Sequence, residues 1–195
     1  MKIKTDKILS LDEIRSILVK LHLKKTKTAR LNLIIFRLSA CCGLRISEIA
    51  SLKMGDCILS KTKPHLIVCG KGQVTRHVPL WWDSGTLADI MAWKDFRRSQ
   101  GATDASALVS LNGKSTNRAN LHYKFKTIYR LLGDPERAKT LTSHCGRHSF
   151  ASHSLASGRT LAEVRDALGH SNISTTSVYL HIANDDGEIT NIFGE

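Results

Sequence analysis

One segment of the chain is apolar almost all the way round a helix, and it limits the folds open to the sequence. It reads ARLNLIIFRLSACCG, from Ala29 to Gly43. A helix without a polar face has to be buried on every side, so other elements must pack around it. Glycine after the last apolar residue is a frequent helix stop, because it readily adopts the left-handed conformation that ends a helix. The segment therefore predicts a central core helix that ends at Gly43.

Helical patterns on both sides of this segment predict a mainly helical domain. Ser10 and Glu13 form a capping box, in which two residues satisfy each other's backbone N–H groups, ahead of an apolar face. Thr160 and Glu163 repeat the pattern ahead of a helix that Gly169 should stop. That helix is predicted over residues 161–168, and further helices over about residues 46–52, 87–98 and 144–156. One more, with Ser115 or Thr116 as its cap, is predicted from the apolar residues Leu121, Phe125, Ile128 and Leu132.

The apolar period changes between these helices to that of a β-hairpin. Two β-rich runs, Leu66–Cys69 and Val74–Val78, flank a Gly-Lys-Gly turn with Lys71 at its centre. A third short strand is expected from Cys57 to Leu59. The predicted fold class is mainly α with a small antiparallel β-hairpin or sheet (α+β), in one domain over residues 1–195 with a tail from about residue 183.

The charge balance restricts the partners. Lysine and arginine number 29 against 17 acidic residues, a formal net charge of +12. This excess favours a polyanion, with nucleic acid ahead of an anionic membrane surface, although a solubilising surface would explain the charge equally well. No apolar run reaches the length of a bilayer span and no signal-peptide pattern opens the chain, so a cytoplasmic protein is expected.

The cysteines and histidines do not favour a metal site. His144 and His148 are four residues apart and could share a helix face, but no second pair at ligand spacing accompanies them. An odd number of cysteines without a secretory signal predicts reduced, mostly buried thiols. None of the five belongs to a CxxC pair: Cys41, Cys42, Cys57, Cys69 and Cys145.

A set of polar residues near helix ends and at the hairpin tip could together transfer a phosphoryl group. Arginines suit the non-bridging oxygens of a phosphodiester, because each guanidinium offers two parallel hydrogen bonds. A tyrosine hydroxyl can attack phosphorus once its proton is removed. A lysine can protonate the leaving alkoxide, and histidines can move or orient the other proton. The candidates are Arg45, Lys71, His144, Arg147, His170 and Tyr179.

Each candidate alone has an ordinary structural explanation. An arginine after a helix is usually a surface residue or half of an ion pair. A Gly-Lys-Gly tip is usually just a turn, and a tyrosine near a C-terminus usually serves packing. Only their combination and their order in the sequence favour a catalytic site.

That combination resembles a known family. The stretches ACCGLRISEIASLKMGD, GKG and HCGRHSFASHSLASGRTLAEVRDALGHSNISTTSVYLHI are similar to the catalytic domain of the tyrosine recombinases, the phage integrase family, over nearly the whole chain. The resemblance implies that Tyr179 is the nucleophile and that Glu48 orients its neighbours. It implies that the other residues assemble around the scissile phosphate: Arg45, Lys71, His144, Arg147 and His170.

The resemblance also implies a reaction and its partners. The expected activity is site-specific recombination of double-stranded DNA (integration, excision or inversion) through a 3′-phosphotyrosyl intermediate, within a synaptic tetramer and at the nucleoid. A monomer is one state left open when DNA is absent. No metal, ATP or other cofactor is implied, because the phosphotyrosyl bond conserves the energy of the broken phosphodiester. Two alternatives remain: a type IB topoisomerase, and a catalytically silent DNA-binding regulator on the same fold.

Three features depart from the family pattern or lie outside its motifs: Gly146, the start of the given sequence and the acidic tail. Gly146 stands where the family usually has a bulky apolar residue, and we expect it to weaken its helix by about 1 kcal/mol. No separate N-terminal core-binding domain precedes the first helix of the given sequence, which suits either an excised catalytic domain or a naturally short recombinase. The acidic tail carries Ile189, Ile192 and Phe193 at spacing compatible with a short helix, which would either dock on a protomer or stay solvated.

Overall fold

The computed structural model describes residues 5–60, 62–111 and 116–180, and for Lys71 the backbone alone. Within these ranges the helices are α1 (Leu11–Leu23), α2 (Lys27–Ala40), α3 (Ile46–Ser51), α4 (Ser84–Ser99), α5 (Arg118–Tyr129), α6 (Pro135–Thr140), α7 (Cys145–Ala156), α8 (Leu161–Leu168) and α9 (Ser174–Ser177). The strands are β1 (Cys57–Ile58), β2 (His65–Cys69) and β3 (Thr75–Pro79). The predicted fold class is confirmed.

Helix α2 is the centre of the core. Every residue from Leu31 to Ala40 is buried, and α1, α4 and α7 all pack against it. The chain leaves α2 through Gly43, which has a φ of 67°. A Cβ atom at this glycine would lie 2.4 Å from Cδ1 of Phe150, so the turn after α2 fits closely against α7. The predicted core helix and its glycine exit are confirmed.

The local signals at helix starts are largely confirmed. The amide of Glu13 donates to Oγ of Ser10 (3.1 Å) while the amide of Ser10 donates to Oε2 of Glu13 (2.8 Å). Thr160 and Glu163 form the second capping box. The cap of α5 was predicted wrongly: the N-cap is Asn117, whose Oδ1 accepts a hydrogen bond from the backbone amide of Asn120 at 2.8 Å. Helix α6 was not predicted at all.

The three strands form one antiparallel sheet in the order β1-β2-β3. Val68 of β2 lies opposite Arg76 of β3, and the connection at Lys71–Gln73 is a single 3₁₀ turn. The predicted hairpin is confirmed with strand limits shifted by about one residue. This register matters for function because it sends the side chain of Arg76 inward, on the same face as buried Val78.

The sequence also led to predictions about membrane spans, the cysteines and the C-terminal tail. None of the described helices is both long and apolar enough to cross a membrane. The five cysteines are free thiols, and all except Cys69 are buried. The predicted tail, with Ile189, Ile192 and Phe193, lies outside the described residues.

Gly146 has a packing reason that its sequence context did not show. Helix α7 crosses α2 so closely at this point that a Cβ atom on Gly146 would lie 2.4 Å from Oγ of Ser39 and 3.2 Å from the amide nitrogen of Ala40. The missing side chain therefore allows the two helices to approach. Because α7 also carries Arg147, this contact fixes how far the backbone of Arg147 lies from α2.

We expect Gly146→Ala to destabilise the protein, although alanine is the better helix former. Overpacking a tight core contact usually costs about 1–3 kcal/mol, which exceeds the roughly 1 kcal/mol that helix propensity returns. Urea unfolding would measure this loss. The double variant Ser39→Ala/Gly146→Ala should recover part of it, since the nearest clashing atom is gone. A more stable Gly146→Ala protein would contradict the close approach.

Candidate active site

Three arginines from distant parts of the sequence converge on the carboxyl end of α8. Arg76 donates from Nε to the carbonyl of Ala167 at 2.8 Å, and Arg147 donates from Nη2 to that of Leu168, also at 2.8 Å. Arg45 reaches the Leu168 carbonyl from Nη1 at 3.4 Å. The last carbonyls of a helix lack partners within it and lie at the negative end of its dipole. The end of α8 therefore attracts and positions all three guanidinium groups.

Gly169 ends α8 in the way that the sequence predicted. Its φ of 66° is left-handed, and its amide donates back to the carbonyls of the last turn. A Cβ atom here would lie 2.8 Å from Cδ of Arg76, so the glycine also leaves room for that side chain. The next residue, His170, consequently leaves the helix directly beside the arginines.

A single carboxylate connects two of these arginines. The side chain of Glu48 is 3% exposed and receives two hydrogen bonds from Arg76, at 2.8 and 2.9 Å. Arg45 adds a bond from Nη1 at 2.9 Å and one from its backbone amide at 2.7 Å. Burial alone would raise the pKa of Glu48, but the bonds and charge of Arg76 and Arg45 lower it below its ordinary value. Glu48 is thus a charged fixing point for both side chains.

The cluster keeps an excess of positive charge. Arg147 is 5% exposed and donates two hydrogen bonds to backbone carbonyls, from Nη2 to Leu168 and from Nη1 to Gly43 (2.6 Å). Burial and the neighbouring charge of Arg45 lower its pKa to about 9, which leaves it protonated at neutral pH. Three guanidinium groups therefore face one carboxylate, an excess of two positive charges. Such a site suits a dianionic or developing anionic ligand.

His170 is a neutral polar group at the edge of this cluster. Its Nδ1 lies 2.9 Å from Oγ1 of Thr176, a buried residue of α9, and this bond fixes the ring. Burial, followed by the charges of Arg147 and Arg45, lowers its pKa to about 4. The imidazole is therefore uncharged at neutral pH, and Nε2 is the ring nitrogen that this bond leaves for a ligand.

Tyr179 lies two residues beyond the end of α9, with its ring in a small apolar cluster that includes Trp82 and Phe150. The residue is 4% exposed, and its hydroxyl lies 2.8 Å from Nδ1 of His148 on α7. Burial raises the pKa of the phenol, while the charges of Arg147 and Arg45 act in the opposite direction. The hydroxyl is therefore a protonated group beside positive charge.

The remaining two predicted site residues are less closely defined. His144 is exposed at the N-cap of α7, just ahead of the helix rather than within it, and burial and the charge of His122 lower its pKa. Lys71 lies in the turn between β2 and β3, the strand that carries Arg76. The structure describes only the backbone of Lys71. In the described part of the chain no three His, Cys, Asp or Glu residues are placed to hold a metal ion.

Two residues that make the key contacts were not predicted as site residues. Arg76 could have been suspected, because the strand period puts it on the same face as Val78, where an arginine needs a buried partner. His148 stood in the motif stretch but was considered only as half of a zinc pair. Its contact with Tyr179 joins positions 31 residues apart, which spacing alone does not reveal.

We expect Arg76→Ala to be costly, because it leaves the Glu48 carboxylate buried with fewer partners. Breaking a buried ion pair typically lowers the free energy of unfolding by about 3–5 kcal/mol. The matched control is Arg98→Ala, which breaks an exposed pair with Asp104 and should cost less than about 1 kcal/mol. Urea unfolding at neutral pH compares the two, and equal losses would contradict the assigned contact.

The wild type and Arg76→Ala can also be compared as a function of pH. The pKa of Glu48 is lower in the folded state than its ordinary value of 4.5, so its stabilisation is present above that value and is lost as the pH falls through the folded pKa. The stability gap between wild type and Arg76→Ala should therefore shrink on acidification below 4.5. A gap that stays constant would mean that Arg76 stabilises the fold without charging Glu48.

Known proteins resemble this chain in sequence. The family model described as the phage integrase family matches residues 7–185. A tyrosine recombinase XerC of Herpetosiphon aurantiacus is 35% identical over 147 residues, which are 73% of this chain and 45% of that protein. A tyrosine recombinase XerD of Proteus mirabilis is 35% identical over 150 residues, 74% of this chain and 45% of that protein. The chain thus spans less than half the length of these curated relatives.

Solved structures share the fold. The XerH site-specific recombinase bound to palindromic difH substrate, in a post-cleavage complex, superposes with a TM-score of 0.74 at 24% identity, over 94% of this chain and 52% of that one. The XerA recombinase gives a TM-score of 0.74 at 21% identity, over 92% and 62% of the two chains. The fold is that of the tyrosine recombinase catalytic domains, and this chain belongs to the phage integrase family.

Proposed function

We propose that this chain is the catalytic domain of a site-specific DNA recombinase, which breaks and rejoins DNA through a 3′-phosphotyrosyl intermediate. The observation that supports it most directly is the position of a buried tyrosine hydroxyl beside two arginines of a positively charged cluster. The charges of Arg147 and Arg45 act on the phenol of Tyr179, and both guanidinium groups are held by α8. The tyrosine ring also packs in one apolar cluster with Ala167 and Leu168 of α8, so the proposed nucleophile and the arginines that would bind a phosphate are all placed by this helix.

The proposed cleavage follows from this arrangement. Arg45 and Arg147 bind the non-bridging oxygens of a DNA phosphate and stabilise the negative charge that builds up on them as phosphorus becomes five-coordinate. The oxygen of Tyr179 forms a bond to phosphorus while the bond to the 5′-oxygen breaks. His170 donates from Nε2 to a phosphate oxygen. Lys71 on the hairpin protonates the departing 5′-oxygen, and His144 borders the same phosphate.

The names of the relatives support recombination as the outcome of this chemistry. The curated matches are tyrosine recombinases, and the XerH site-specific recombinase was solved in a post-cleavage complex with its palindromic difH substrate. We propose double-stranded DNA as the partner, nucleoid DNA in the cytoplasm as the location, and a synaptic tetramer as the working assembly. Conversion of two-site plasmids would support recombination, whereas relaxation of supercoiled DNA without strand exchange would indicate a topoisomerase.

Replacing the tyrosine hydroxyl tests the nucleophile. On a nicked suicide substrate, whose cleaved 5′ fragment diffuses away, the wild type should accumulate a covalent protein–DNA adduct. Tyr179→Phe should form none while binding DNA normally, because only the attacking oxygen is lost. Tyr123→Phe is the matched control, since that residue is 69% exposed. An undiminished adduct in Tyr179→Phe, read on a denaturing gel, would refute the assignment.

The role of Lys71 has a chemical test. A 5′-bridging phosphorothiolate provides a leaving group that needs no proton. We expect Lys71→Ala to slow cleavage of ordinary DNA by about 10²-fold or more and to cleave the sulfur-substituted strand at close to the wild-type rate. Single-turnover adduct formation measures both. If sulfur gives no recovery, Lys71 is a phosphate contact and not the general acid.

A further inference from the structure

His148 is the histidine that contacts the proposed nucleophile. It follows Arg147 on α7, and its Nδ1 lies 2.8 Å from the hydroxyl oxygen of Tyr179. Among the described residues, neither His144 nor His170 has a hydrogen bond to that hydroxyl: His144 is exposed at the N-cap, and Nδ1 of His170 is bonded to Thr176. The position of His148 is well fixed, because α7 packs along the central helix α2.

Tyr179 needs a proton acceptor within the protein, because its surroundings disfavour the loss of its proton to water. Tyr179 is 4% exposed and its ring packs in an apolar cluster. Burial raises the pKa of its hydroxyl, so the group is protonated at neutral pH. A protonated phenol is a weak nucleophile toward phosphorus. Attack therefore requires a nearby group that takes the proton as the new bond forms.

His148 has the protonation state that this role requires. The groups that face the His148–Tyr179 pair are His144 and Arg147 on α7 and Arg45 ahead of α3. Burial, followed by the charges of His144 and Arg147, lowers the pKa of His148 to about 4. The ring is therefore neutral at neutral pH. With the proton on Nε2, the lone pair of Nδ1 accepts the hydrogen bond from the tyrosine hydroxyl.

We propose that His148 is the general base that accepts the proton of Tyr179 during DNA cleavage, an inference that rests on the function proposed above. As the tyrosine oxygen bonds to phosphorus, its proton moves to Nδ1 and His148 becomes an imidazolium. The bond from phosphorus to the 5′-oxygen breaks, and that oxygen takes a proton from Lys71. In resealing, the 5′-hydroxyl returns its proton to Lys71 as its oxygen bonds to phosphorus, the bond from phosphorus to the tyrosine oxygen breaks, and His148 gives its proton back to that oxygen. Protons and charge balance over the two steps.

Exchanging the base for a hydrogen-bond acceptor that cannot take up a proton separates catalysis from positioning. In His148→Asn the amide oxygen stands near the position of Nδ1. We expect single-turnover adduct formation to slow by about 10²- to 10⁴-fold at neutral pH, with unchanged DNA affinity. The rate of the variant should rise roughly tenfold per pH unit in alkaline buffer, because the phenol must then ionise to solvent, whereas the wild-type rate stays nearly flat.

A second substrate distinguishes the base from the acid. The 5′-bridging phosphorothiolate should restore Lys71→Ala but leave His148→Asn slow, since sulfur helps only the leaving group. A His148→Asn protein that cleaves at the wild-type rate, or whose pH profile parallels that of the wild type, overturns the proposal. Absence of any adduct in the wild type would instead count against the proposed function.

The DNA-free protein gives a readout that needs no activity. By ¹⁵N NMR, the ring of His148 should carry its proton on Nε2 at neutral pH and should titrate near pH 4, well below the ordinary 6.5. In Tyr179→Phe the Nδ1 resonance should shift, because its hydrogen bond is lost. A neutral ring that carries its proton on Nδ1 could not accept the proton of Tyr179 there, and this result overturns the proposal whether or not the chain cleaves DNA.

Discussion

The site depends on the bonds between three guanidinium groups and the carbonyl end of α8. A helix end has unpaired acceptors and partial negative charge, and here it holds Arg45, Arg76 and Arg147 in place of water. Mutual repulsion would otherwise spread these positive groups apart. The carboxylate of Glu48 adds the one full negative charge among them and fixes two of the three. The excess charge that remains is rigidly held, so an anion can bind with little rearrangement.

Close packing at two glycines determines the backbone positions of Arg45 and Arg147. Gly43 turns the chain against α7, and Gly146 lets α7 approach α2 at the level of Ser39. Both glycines act through the absence of a side chain, and both lie within two residues of an arginine of the site. The backbone at Gly43 lies against the side chains of Phe150 and Leu168, and the backbone at Gly146 lies against Ser39 and Ala40. Arg45 and Arg147 are therefore placed by close packing at two glycines, in a core that deforms little.

The sequence predicted the features that local chemistry encodes. The capping boxes at Ser10 and Thr160, the apolar helix α2 and the glycine stop at Gly169 each depend on residues within one or two turns. Family resemblance supplied candidates such as Arg147. Arg76 and His148 were missed because their meaning lies in partners 28 and 31 residues away, Glu48 and Tyr179. Gly146 was misjudged for a similar reason, since intrinsic propensity ignores the helix packed against it.

The acceptors at the end of α8 belong to the backbone, and this affects how the domain can change in evolution. Side chains at positions 167 and 168 can drift among helix formers that fit the core without altering the acceptor oxygens. The length of the helix cannot drift in the same way. Each inserted or deleted residue turns the last carbonyls by about 100° around the axis and would point them away from the arginines. This part of the site is therefore tolerant of substitution and intolerant of insertions and deletions.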